Sequence, residues 1–128
     1  MIYHKVILEI SNVKVCLIIT DRFDKSISDF PLLKTFIYNN SKEKIDDIMD
    51  SIAYTCKLEM RSSIKDKYYI MMRPGIRNCD IAHESFHLAL RILGFKSITD
   101  GEEIYAYMIQ DIYEKIEEQI IKYNSNPK

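Results

Sequence analysis

Three glycines and three prolines are all that punctuate this chain of 128 residues. Glycine and proline end regular structure, the first through its backbone freedom and the second through its fixed φ and missing donor. The few that are present therefore mark element ends. Pro31 stands where "PLLKTFIYNN" would open a short helix. Pro74-Gly75 breaks the chain after "KYYIMMR", Gly94 stops the helix before it, and Asp100-Gly101 reads as a turn.

Between these marks the pattern of side chains sets the elements. "YHKVILEI" and "VKVCLIIT" are rich in β-branched residues and flank "SN", so the first 20 residues read as a hairpin. Residues 21–29 are mostly polar and read as loop. "SKEKIDDIMDSIAYT" reads as a helix capped by Ser41, with Ile45, Ile48, Met49, Ile52 and Ala53 at helical spacing. "CKLEM" fits either a helix end or a strand, and "KYYIMMR" reads as a strand. Residues 78–93 form a strong helix, with Asn78 or Asp80 as candidate caps. Its apolar side would be Ile81, Ala82, Phe86, Ala89, Leu90 and Leu93. A last long helix is expected over 102–122, with "YNSNPK" fraying behind it. Strands and helices are largely segregated, which predicts one α+β domain over 1–128: a small, mainly antiparallel sheet packed on helices.

Composition narrows the function classes. Lys and Arg total 18 against 19 for Asp and Glu, so the net charge is −1 and no basic run points to nucleic acid. No apolar stretch approaches the roughly 20 residues that span a bilayer, and Lys5 and Glu9 interrupt the apolar N-terminus, which has no signal-peptide cleavage site. Three cysteines, an odd count without C-x-x-C, argue against a disulfide framework and for a reducing, cytoplasmic setting.

The helix over 78–93 carries the one motif with a chemical reading, His83-Glu84-Ser85-Phe86-His87, or H-E-x-x-H. Residues four apart share a helix face, so His83 and His87 can offer imidazole nitrogens to one ion at about 2.0–2.1 Å. Glu84 is turned by about 100°, toward a water on that ion rather than toward the ion. Zinc is the expected cofactor, with Glu84 as general base for the water and then proton donor to a leaving amine.

A catalytic zinc site wants a third protein ligand. His4 is the only other histidine and lies near the start of a strand. Cys79 and Asp80 lie on the same helix. Three ligands on successive turns would span about 11–12 Å of axis, too far to converge, and Asp80 suits a cap. Glu102 and Glu103 open the next helix after a short loop. Spacing alone does not separate the two, and both also suit the positive end of a helix dipole.

"IAHESFHLALRILGF" followed by "DGEEIYAYMIQDIYEKI" resembles small zincin-like, gluzincin-type metallopeptidase-like proteins encoded by tailed bacteriophages. The resemblance covers residues 78–122 and none of the chain before them. It implies a zincin-like H-E-x-x-H helix followed by a ligand-bearing C-terminal helix. It also implies His83 and His87 as zinc ligands, Glu84 as catalytic base, and Glu103, in E-x-x-A-Y, as third ligand. The implied function is hydrolysis of a peptide bond in a peptide or protein substrate. The other class it implies is a non-catalytic virion or assembly protein with other phage structural proteins as partners. Either would place the chain in a bacterial host's cytoplasm or in a virion, with neither nucleic acid nor membrane as partner.

Two further expectations concern the surroundings of the site. Tyr105 or Tyr107 could stabilise an oxyanion, although tyrosines also pack cores with their hydroxyls at the surface. "KYYIMMR" could be an edge strand along which a peptide lies.

Overall fold

The computed structural model describes residues 3–60, 65–94 and 98–125. The hairpin is formed by β1 (His4–Ile10) and β2 (Val13–Ile19), antiparallel, with Ile10 opposite Val13 across the two-residue turn. Ser11 and Asn12 both take positive φ, +47° and +70°. That is the backbone hand that matches strand twist in a two-residue hairpin, and asparagine tolerates it well.

The polar stretch expected as loop instead winds into α1 (Phe23–Ser26) and a 3₁₀ turn, Ile27–Asp29, because Phe23 and Ile27 are drawn wholly into the core. Then come α2 (Pro31–Tyr38), opened by Pro31 as expected, and α3 (Lys42–Asp50). Ser41 caps α3 by accepting from the Lys44 amide at 3.2 Å. The helix ends two residues before Ile52. Ala53 and Tyr54 belong to β3 (Ala53–Leu58), which also settles "CKLEM" as largely strand. After β4 (Lys67–Met72) come α4 (Asn78–Leu93) and α5 (Ile98–Ser125). Asp100 and Gly101 lie inside α5 and make no turn before it.

The sheet is mixed, with strand order β1-β2-β4-β3. Its two outer pairs are antiparallel, and the central pair, β2 with β4, is parallel. The "KYYIMMR" strand is thus interior and cannot serve as the edge for a peptide. The edge beside α4 is β3. Helices pack on both faces, α4 and α5 on one and α1 to α3 over part of the other, which explains the nearly continuous apolar runs of β2 and β4. Val15, Leu17, Ile19, Ile70 and Met72 pack against α4 and α5. On the reverse face Ile18, Met71 and Cys56 pack against α1, α2 and α3. All three cysteines are unpaired. Among the described residues no helix is long and apolar enough to cross a membrane.

Arg73, just past β4, ties the chain ends of this sheet together. It donates to three carbonyls, Ser51 at 3.0 Å, Met49 at 2.6 Å and Asp21 at 2.6 Å, and its guanidinium lies 4.5 Å over the Phe23 ring. A lysine has no planar fork to match these acceptors. Arg73→Ala should cost about 1.5–3 kcal/mol of stability, the range for a hydrogen-bonded charged group, and Arg73→Lys should recover only part of it. Urea denaturation of the three proteins checks this.

A candidate metal-binding histidine pair

α4 begins after Arg77, earlier than either expected cap. Asp80 works from inside the first turn, where its Oδ2 accepts from the Arg77 amide at 3.4 Å and pairs with Arg77 Nε at 3.3 Å. Gly94 closes the helix with φ +77°, a left-handed value that favours glycine. The face turned to the sheet carries Ile81, Glu84, Ser85, Leu88 and Ala89. Ala82 and Phe86, expected inside, are exposed instead. The helix is rotated so that a glutamate and a serine, not those two apolar residues, meet the strands.

Both buried polar groups have partners. Ser85 Oγ donates to the Ile81 carbonyl at 2.7 Å. Glu84, only 7% exposed, accepts from the Thr55 hydroxyl on β3 at 2.5 Å. This bond fixes the carboxylate against the edge strand and offsets part of the cost of burying it. Thr55→Val keeps the volume and removes the donor. It should destabilise the fold by about 1–3 kcal/mol, the cost of an unsatisfied buried acceptor, measured by thermal melting. Thr55→Ser should restore most of the loss.

His83 and His87 lie next to Glu84 on the outer side of α4, His83 exposed and His87 half-buried. Their Nε2 atoms are 3.0 Å apart and their rings meet nearly edge to face, centroids 4.6 Å apart. At that distance either Nε2, when protonated, can donate a hydrogen bond to the other. Two imidazoles on one tetrahedral zinc, each at about 2.0–2.1 Å, hold their nitrogens ~3.3 Å apart. The pair therefore fits two corners of such a site with a small adjustment.

The third corner is less complete. Among the described residues no third histidine, cysteine, aspartate or glutamate joins the pair in a group that could hold a metal. Glu102 and Glu103 are both exposed. They stand in the second turn of α5, not the first, because that helix begins at Ile98. α5 packs on α4 and on β1 through Tyr105, Met108, Ile112, Ile116 and Ile120. At about 100° per residue, Glu102 falls about 60° from Tyr105 around the helix, and Glu103 about 160°. Glu102 thus flanks the packed stripe, while Glu103 points away from it. Of the other candidates, Cys79 is exposed at the start of α4 and Asp80 is engaged in the cap. His4 lies beside Tyr123, ring centroids 6.1 Å apart. Tyr105 is buried in the core and Tyr107 is 67% exposed.

One feature of the surroundings had no sequence signal. Arg91, one turn beyond His87, lines a cavity of about 600 Å³ at the β3 edge, together with Phe36 on α2 and Lys57, Leu58 and Met60. H-E-x-x-H extended by four residues would have found Arg91 on the same line, but nothing local links it to α2. The chain matches no family model, no curated protein and no solved structure.

Proposed function

We propose that this chain is a zinc-binding, metallopeptidase-like protein in which His83 and His87 hold the ion and Glu84 is the general base. What supports the reading is the convergence of the two Nε2 atoms to 3.0 Å on one face of α4, beside a carboxylate fixed by Thr55. Glu103 is the third ligand by resemblance to gluzincin-type proteins, and Glu102, nearer the packed stripe, is its competitor. Bound zinc would supply Lewis acidity toward water and a substrate carbonyl. The chain's own residues would do the rest. Glu84 takes and returns a proton, Thr55 keeps its carboxylate oriented, and the edge of β3 receives an extended peptide by main-chain pairing. The cavity lined by Leu58, Met60 and Phe36, with Arg91 at its wall, accepts an apolar or acidic side chain of that peptide.

The burial of Glu84 also favours a second reading, a non-catalytic phage assembly protein in which this glutamate joins α4 to β3 and the histidine pair binds an ion for architecture alone. The experiment that decides is cleavage of a broad peptide library by wild type, Glu84→Gln and chelator-treated protein. Cleavage by wild type only supports the enzyme. Zinc retained by the untreated wild type, with no cleavage by any of the three, supports the assembly protein.

A further inference from the structure

The sheet face opposite α4 is only partly covered. α1, α2 and α3 seal Ile18, Met71 and Cys56, but Ile7 is left 50% exposed and Cys16 and Tyr69 are half-buried. These three residues sit side by side, since Cys16 is in register with Ile7 on β1 and with Tyr69 on β4. They form the floor of a cavity of about 760 Å³, and Phe30 is its wall, edge-on to Tyr69 at 6.3 Å. The volume lies in the range of small-molecule sites.

The rim is basic. Lys5, Lys14, Lys65 and Lys67 all line it. Asp66 is the acidic residue of the lining, and its charge is already engaged. It pairs with Lys57 at 3.6 Å and accepts from the Met60 amide at 2.9 Å. Glu9 stands opposite Lys14 in the hairpin without lining the cavity. In a chain of net charge −1 this is a local concentration of positive charge over an apolar, aromatic floor. It was hidden in the sequence because the four lysines come from three separate stretches, Lys5, Lys14 and the pair Lys65 and Lys67. Alternation along β1, β2 and β4 puts three of them on one face.

Several lysines around one opening suit a polyanion, as point charges for phosphate oxygens. A flat floor of Tyr69, Cys16 and Ile7 suits an aromatic ring laid against it. The volume of the cavity, and the absence of a basic stripe among the described residues, favour one small ligand over a nucleic-acid strand. We propose that this cavity binds a nucleotide, with its base on the sheet floor and its phosphates on the lysine rim. The site is independent of the histidine pair and lies across the sheet from it.

The test uses the intact chain with ADP as probe, followed by calorimetry and by alkylation of Cys16 read by mass spectrometry. Lys14 and Lys67 are exposed, so Lys14→Ala and Lys67→Ala leave the fold intact. Each should weaken ADP roughly tenfold, as expected for loss of one charge-assisted contact. Lys42→Ala, on α3, should leave it unchanged. ADP should also protect Cys16 from iodoacetamide. Pyrophosphate should bind more weakly than ADP and leave Cys16 reactive. The proposal is overturned if ADP at millimolar concentration does not bind, or if its affinity is indifferent to both lysines. Laurate or a thymidine oligomer binding more tightly than ADP would overturn it equally, by assigning the cavity to a fatty acid or to a single strand.

Discussion

Glu84→Gln should keep zinc and lose hydrolysis by about 10²–10⁴-fold, the usual worth of a positioned general base. The substitution is nearly isosteric. Its amide oxygen can still accept from the Thr55 hydroxyl, which the carboxylate accepts at 2.5 Å, so α4 stays seated on β3. The amide cannot take a proton from water, and only the proton-transfer role is removed. Glu84→Ala does not make this separation. It strands the Thr55 hydroxyl in a buried position and costs about 1–3 kcal/mol of stability as well. Steady-state peptide cleavage, paired with melting curves, tells the two variants apart. Equal cleavage by wild type and Glu84→Gln would remove Glu84 from the mechanism.

The second large effect is architectural. Ile112 is fully buried where α5 meets α4 and the sheet. Ile112→Ala should cost about 2–5 kcal/mol through lost apolar burial and the cavity left behind. Ile104, on the same helix and equally apolar, is 58% exposed. Ile104→Ala should fall within about 0.5 kcal/mol of wild type. Chemical denaturation of both variants tests which stripe of α5 carries the packing. A large loss at Ile104 with little at Ile112 would mean that the helix is turned the other way.

These two isoleucines show how far α5 could be read in advance. The segment "IYAYMIQDIYEKI" offers two overlapping apolar lines, one through Ile104 and one through Tyr105. Both meet at Met108, and only contact with α4 and β1 selects the second. The same ambiguity hid the start of β3. Ile52 and Ala53 continue the helical period of α3, and the chain turns to strand at Ala53 because β4 offers a ladder in which Ala53 faces Met72. The hairpin, α2, the Ser41 cap and the Gly94 stop were legible because each rests on local chemistry. The parallel β2–β4 pair was not, since it joins segments separated by three helices and β3. At the candidate site the histidine spacing was legible and the rotation of α4 was not. That rotation depends on Thr55, a partner 29 residues away that holds a glutamate inside.

The zinc-binding function proposed for α4 requires that the histidine pair hold the metal. The direct measurement is elemental analysis of protein purified without added metal, for wild type, His87→Ala, Glu102→Ala and Glu103→Ala. The expected result is one zinc per wild-type chain and none in His87→Ala. The loss of zinc should also lower stability by RT ln(1 + [Zn]/Kd), about 2.7 kcal/mol at a hundredfold excess over Kd. Glu103→Ala should lose zinc while Glu102→Ala keeps it, and the reverse pattern would move the third ligand by one residue. A folded wild-type chain that carries no zinc and takes up none on titration would contradict the central claim.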